Sequence, residues 1–579
     1  MPGMAFAKIE INGTPLPDET MGYLDAVVVE NSLNLPDTFS ARFVDQEGAL
    51  IPTFARSLGA PVTISVMHEG ESAPVKIMQG ELTAVEVEFD ETGTRTIARG
   101  MDVAYRLQGA RKTKAWPQAT ASDVARRIAG SNGLAAGTVD ATTTVYEHLV
   151  QANMTDLEFL RRLGAENDRL VVVTEGKLHF RKQPQASSAP SPGRLTTPDP
   201  LKLVLHGDHV KSLRATIRSA GQVKEVRVRG WDPQTKQVVV GTAQAGTSAA
   251  SSGTGPAKLA ARAGNAVHTS VTTPFGKHSE AAAAAKDLAD HLGSTFAEIE
   301  GSIEGHPRLT AGETVSISNF GAPLDGKFKV SNVTHRIDAR GYETSFLVCG
   351  QQDRSLMGLV AGGLGAGDDG RIPGVVSGIV TDVKDPEAQG RVKVKFPWMS
   401  DDYGTSWCRM VQFGAGQDRG ALFLPEVNDE VLVAFEQGDP RRPYVLGGLY
   451  NGQDKPKAGG PITTSNGKVA RRGYVSKTGS MLVFFEEPGK EGIAILSSDK
   501  GLRISLNKTK TTIHVASNGE IKIEGRSKVT VDGGQELVLT ARKVSIGASD
   551  TTSVEVKGVQ IDVKASAKAS VSAPQVSLG

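Results

Sequence analysis

The strongest constraint on this chain is a repeat of eight residues towards its C-terminal end. Ile513, Ile521, Val529 and Leu537 are spaced by eight, and so are Val515, Ile523, Val531 and Leu539. Two positions further on, Ser517, Gly525, Gly533 and Ala541 keep the same step and are all small. Each unit reads apolar-x-apolar-x-small, followed by three mostly polar residues. Residues i and i+2 of a strand point to one side, and the small residue lets the chain turn. A fixed period of this kind builds an elongated stack. Each strand carries only two apolar side chains, so one copy cannot enclose a core. Three copies wound about a common axis can bury every pair, and a prism of three faces is the simplest closure. With each buried Val or Ile contributing about 1.5–3 kcal/mol, the stability of the repeat resides in the assembly. The expectation is a triple-stranded intertwined β-helix in a homotrimer, with the apolar pairs on its axis and the small residues at its turns. Beyond 541 the spacing loosens, but pairs persist at Val544/Ile546, Val554/Val556, Ile561/Val563 and Val576/Leu578.

A chain of 579 residues exceeds one ordinary core. Apolar residues at 39% and charged ones at 22% describe a globular protein, while 5% aromatics and 65 glycines favour short strands and tight turns over a helical enzyme. Lys plus Arg (65) balances Asp plus Glu (64), so there is no electrostatic footprint for nucleic acid. Cys349 and Cys408 fall in different expected domains and cannot frame a disulfide scaffold, which points to folding in the reducing cytoplasm. The start MPGMAFAKIEING lacks the pattern of a signal peptide. No apolar run approaches the roughly 18 residues of a transmembrane helix. Any action at a membrane is therefore expected from a soluble object.

Composition breaks at 183–200, 241–258, 361–370 and 451–468 read as loops or linkers. Residues 1–100 alternate as strands, for example Ala26–Glu30, Ser40–Val44 and Val62–Val66. Helices enter near 101–183. Thr155 and Glu158 form a capping box, with Met154 and Phe159 at the flanking staple positions. Ser122-Asp123 opens a second helix that Gly130 is placed to end. Strands resume near 203, interrupted by an alanine-rich helix from Ser279 to Gly293. Residues 371–450 hold about five strands, which suits a small closed barrel. The expected fold is mainly β: two β-barrels with a small α/β insert over 1–360, an OB-fold barrel over 371–452, and the β-helix over 471–579.

These residues resemble the VgrG family, the hub-and-spike proteins of contractile phage tails, type VI secretion systems and extracellular injection particles. Asn153 to Leu163 looks like the family's hub motif. Gly390 to Trp398, Leu424 to Val433 and Gly438 to Gly447 look like its oligosaccharide/oligonucleotide-binding barrel, and the octads are similar to its triple-stranded β-helix. The resemblance implies a homotrimer whose hub plugs an inner tube, whose barrel is a collar and whose β-helix is a needle. It implies inner-tube and baseplate proteins as partners, a PAAR-like cap at the tip, effector cargo, and transient contact with a target membrane when a sheath contracts. Some relatives carry a lysozyme between barrel and needle or an effector after the needle. Here a short polar stretch follows Leu449 and the repeat runs to Gly579, so a non-enzymatic spike is expected. A spike-borne cell-wall hydrolase and a passive adhesion fibre are the alternatives.

The chemical motifs add little. Gly365 to Gly370 matches a dinucleotide-type glycine pattern, but Pro373 follows where a helix should open, and Asp368 and Asp369 would repel a pyrophosphate. Lys477-Thr478-Gly479 and Ser497 to Lys500 echo penicillin-recognising enzymes in reversed order. His206 to His209 lacks further partners at metal-ligand spacing. His514 lies between two apolar octad positions and should face outward. Trp398, Tyr403 and Trp407 are conceivable stacking platforms, but core or trimer contacts explain them as well. No cofactor is called for.

The period itself is testable. Deleting Glu524 to Val531 removes one octad and keeps the phase, so a shorter but protease-resistant C-terminal region is expected. Deleting only Glu524 to Thr530 slips every later residue by one and turns the apolar set outward. Limited proteolysis compares the two, and identical behaviour of both deletions would contradict the octad.

Overall fold

The computed structural model describes residues 6–68, 72–191, 199, 201–205, 207, 209–322, 324–350, 371–399, 404–547 and 554–577. The sequence readings at His206, Asp208, Gly365–Gly370, Tyr403 and Leu578 lie outside the described residues. The chain divides into two compact units, Met1–Asp454 and Lys455–Gly579. Among the described residues no helix is long and apolar enough to cross a membrane.

In the first unit, the strand-rich blocks expected as two barrels share one continuous sheet of eleven strands. The join is Leu24–Ser32 against Asn332–Asp338, antiparallel, with Val29 opposite His335. Nothing local signals a pairing of segments some three hundred residues apart. Burial follows the pleat: alternate residues of Gly341–Val348 are buried, as are Val27, Val29, Phe39, Ala41 and Phe43. One apolar core forms around Phe43, Phe54 and Ile64, and a second around Phe296, Ile299 and Phe328.

The α/β insert has its own core of Trp116, Leu149, Phe159, Leu160 and Phe180. Helix Asp156–Asn167 begins as its sequence requires. Thr155 Oγ1 accepts from the Glu158 amide at 3.2 Å, and Glu158 Oε2 accepts from the Thr155 amide at 2.8 Å. Met154 and Phe159 are both buried beside this cap. The neighbouring helix departs from expectation: it spans Ala121–Ser131, Thr120 is the N-cap, and Asp123 completes the box. Gly130 lies inside it. The helix stops where Asn132 Nδ2 donates to the Ile128 carbonyl at 2.8 Å and Gly133 takes a φ of +70°, a conformation glycine adopts without strain. The alanine-rich helix runs His278–Ser294, with no side-chain cap at Lys277.

The barrel has the five strands expected, in the order Lys393–Lys395, Val375–Asp382, Glu430–Phe435, Pro443–Gly448 and Arg409–Met410. A bridge between Val392 and Cys408 joins the two ends of this order and closes the ring. Val380, Val394, Phe396, Val431, Val433 and Val445 fill it, and Val150 and Ala152 of the insert strand Val145–Met154 belong to the same core.

Beside that shared core lies a buried ion network. Arg441 Nη1 donates to Glu166 Oε2 at 3.0 Å, and Arg441 Nη2 to Asp439 Oδ2 at 2.8 Å. Burial alone would raise the Asp439 carboxyl, but Arg441 and Arg162 hold it down to about 2. Glu166 sits in the last turn of helix Asp156–Asn167, so the guanidinium ties the barrel to the insert. Arg441→Met removes the cation that bridges Glu166 and Asp439 and leaves only Arg162 beside them, and a loss of about 3–5 kcal/mol is expected. Denaturant unfolding measures it, and a loss below about 1 kcal/mol would mean the pair behaves like a surface ion pair.

Candidate functional site

The second unit begins as an antiparallel meander: Arg471–Val475, Met481–Phe485, Gly492–Leu496, Leu502–Asn507 and Thr512–Ser517, each paired with the next. Its register aligns side chains in rows across the sheet. One row is Tyr474, Leu482, Ile495, Ile504 and Val515, and the next is Phe484, Ile493, Leu506 and Ile513. Successive residues alternate faces, so both rows share one face. That face is open: Tyr474, Phe484, Ile495, Ile504, Leu506, Ile513 and Val515 are all exposed. The opposite face carries the row Val483, Ala494, Ser505 and His514, of which the first three are buried and His514 is exposed.

From Asn518 onward no strand is formed among the described residues. The eight octad positions expected on the axis, Ile513, Val515, Ile521, Ile523, Val529, Val531, Leu537 and Leu539, are each more than half exposed. Scattered exposed apolar residues are ordinary, but a continuous set of this kind marks an interaction surface. Ser517 is half-buried, whereas Gly525, Gly533 and Ala541 are exposed. At two of these small positions the chain folds back on itself. A Cβ on Gly525 would lie 2.8 Å from the Lys528 carbonyl oxygen, and one on Gly533 would lie 2.5 Å from that of Glu536. The Glu536 amide donates to the Gly533 carbonyl at 3.2 Å.

The octads start at Ile513, so the repeat gives no sign of the apolar face of the meander. The signal was present as pairs two residues apart, Leu482/Phe484, Ile493/Ile495 and Ile504/Leu506. Their spacing is longer than eight because the hairpin loops are longer, so a search for the octad passes over them.

The remaining motifs lie apart from this face. Lys477–Gly479 and Ser497–Lys500 are hairpin loops of the meander, with exposed tips. His209, at a strand start, approaches the Lys202 carbonyl through Nε2 at 3.0 Å. Trp398 donates from Nε1 to the Ser377 carbonyl at 2.9 Å, and Lys393 lies 4.8 Å from the Trp407 ring centroid. Cys349 and Cys408 are buried free thiols, the latter pushed up to about 12 by burial. Among the described residues no three His, Cys, Asp or Glu side chains cluster to hold a metal.

The fold has known counterparts. A family model described as the Alg8 N-terminal domain matches residues 7–339, more than half of the chain, and one described as the type VI secretion system/phage-baseplate injector OB domain matches 376–450. The chain therefore belongs to the Alg8 N-terminal domain family, and its barrel is an OB domain of the type VI secretion and phage-baseplate injector kind. It is 27% identical over 155 residues to the actin cross-linking toxin VgrG1 of Vibrio cholerae, covering 26% of this chain and 14% of that protein. It is 40% identical over 68 residues to the type VI secretion system spike protein VgrG1a of Pseudomonas aeruginosa, 11% of either chain. The chain thus spans under a fifth of the length of these curated relatives. A chain of the lidded Francisella PdpA–VgrG complex shares the fold at 8% identity and a TM-score of 0.53, covering 89% of this chain and 80% of that one.

The exposed pair at Val529 and Val531 can be probed directly. Val531→Asp puts a carboxylate where the repeat requires an apolar contact, whereas Lys528→Asp changes a polar position. A large fall in thermal resistance is expected for the first and a change within about 0.5 kcal/mol for the second. Equal melting curves would show that Val531 meets no apolar partner.

Proposed function

We propose that this chain is one protomer of a homotrimeric, non-enzymatic spike that caps the inner tube of a contractile injection system and is driven through a target membrane. The observation that carries the reading is the open apolar face of the second unit. It runs from Tyr474 to Leu539 and has nothing within its own chain to cover it among the described residues. Two further copies of the same surface cover it by symmetry. The axis is then lined by Ile513, Val515, Ile521, Ile523, Val529, Val531, Leu537 and Leu539, with turns at Ser517, Gly525, Gly533 and Ala541.

In this reading the first unit is the hub and collar, and it meets inner-tube and baseplate proteins. A PAAR-like protein caps the needle tip, and effector cargo travels with the spike. About eleven stacked strands at ~4.8 Å give a shaft of roughly 50 Å, against about 40–45 Å for a bilayer with headgroups. Lys522, Glu524, Lys528, Asp532 and Arg542 are exposed on that shaft, so it does not rest in lipid and has to be pushed. The protein supplies stiffness, through backbone pairing between copies and slow unfolding, and a contracting sheath supplies the work.

Light scattering on the purified full-length chain tests the assembly: three times the protomer mass of 61.0 kDa is expected. Gold labelling of assembled particles tests the location, with label at one end of the tube. A folded monomer, or label along outer fibres, would overturn the proposal.

A further inference from the structure

At one end of the eleven-stranded sheet, three neighbouring strands bring polar side chains to a cavity of about 220 Å³. Asn31 closes strand Leu24–Ser32, Asp37 precedes strand Thr38–Val44, and Asp102 follows strand Gly93–Met101. The register holds these ends together, with Thr38 opposite both Glu30 and Met101. The Asp102 amide also donates to the Asp37 carbonyl at 2.8 Å. The facing wall is the turn of the α/β insert at 171–176, with Leu157 and Arg161.

The donors are all oxygen. Asp37 accepts from Asn31 Nδ2 at 2.9 Å through Oδ2 and from the Ser32 amide at 2.8 Å through Oδ1. Asp102 Oδ1 accepts from the Ala104 amide at 2.9 Å. Asn31 is only 6% exposed, and its Oδ1 has no hydrogen-bond donor. Turning the amide over would set that oxygen against the Asp37 carboxylate, so the bond to Asp37 fixes the orphaned carbonyl in place. A buried acceptor left unmet calls for an explanation such as a bound ion.

We propose that this cavity binds a hard divalent cation, calcium in preference to magnesium, through the side-chain oxygens of Asn31, Asp37 and Asp102. Two carboxylates and an amide carbonyl, with neither imidazole nor thiolate, select an oxygen-seeking ion over zinc or copper. Calcium accepts irregular sets of oxygens completed by water, whereas magnesium demands a near-ideal octahedron. At about 30 Å³ for each water, the cavity has room for an ion and several of them. Burial pushes the Asp37 carboxyl up to about 6. Burial, followed by the charge of Asp37, pushes Asp102 up to about 7. Lys76, which also lines the cavity, is held by Glu175 at 3.0 Å and Gln79 at 2.8 Å. A cation here ties three strand ends to one another on the side that faces the insert.

Calorimetric titration of the chelator-stripped full-length chain with calcium chloride tests the site. One ion per chain is expected at about pH 8, with a dissociation constant on the order of 10⁻⁴–10⁻³ M, magnesium binding more weakly. Binding should weaken as the pH falls, because protons compete with the ion for its carboxylate ligands. Asp102→Asn keeps an oxygen for the Ala104 amide and so keeps the fold, as circular dichroism would confirm. It and Asn31→Ala should each weaken binding about tenfold, while exposed Asp232→Asn leaves it unchanged. No uptake by the wild-type chain at the higher pH, or uptake that neither Asp102→Asn nor Asn31→Ala alters, would overturn the site.

Discussion

An apolar face left open by the described residues of its own chain is the constraint on which the rest of this protein depends. Strands pair within the chain as far as Ser517, and from Asn518 no strand forms among the described residues, while the Val, Ile and Leu pairs continue at two-residue spacing. Apolar area of that kind is costly in water, and unpaired strand backbone invites pairing with other chains. A surface that is liable to aggregate in a monomer becomes the core of an assembly when its repeat is regular enough to stack in register.

The first unit solves the opposite problem, since it closes its cores within one chain. Its three most distant parts are stitched together by contacts that differ in kind. Main-chain pairing of Leu24–Ser32 with Asn332–Asp338 fuses the N-terminal strands with the later block. Apolar packing of Val150 and Ala152 places the insert against the barrel. The Arg441 guanidinium then joins Glu166 to Asp439. A bidentate guanidinium fixes orientation as well as distance. The cavity proposed as a cation site lies at the other side of the same insert, where strand ends and not strand faces meet it.

Local chemistry was the most legible part of the sequence. The Thr155 and Glu158 cap, the five barrel strands and the octads are all written in residues close together in the chain. Where the local reading slipped, the reason is also local. Thr120 lies three residues before Asp123 and so completes a capping box that takes Ser122 inside the helix, and the Asn132 side chain ended the helix that Gly130 was expected to stop. The meander face was hidden because its apolar pairs keep the two-residue spacing but not the period. Asn31, Asp37 and Asp102 carried no sequence signal, since ligands drawn from three strand ends share no spacing that a motif could record.

The sequence by itself determined which residues of the C-terminal region are apolar together, because a repeat of eight states this in one dimension. It also determined that the chain is mainly β, through alternation and abundant glycine. Only the tertiary structure decided that the two N-terminal strand blocks are one sheet, that the barrel shares its core with the insert, and that two carboxylates and an orphaned amide face one cavity. Those features depend on pairing between segments far apart in the chain, and the free energy that selects such pairings comes from burial summed over many residues, which no short stretch of sequence expresses.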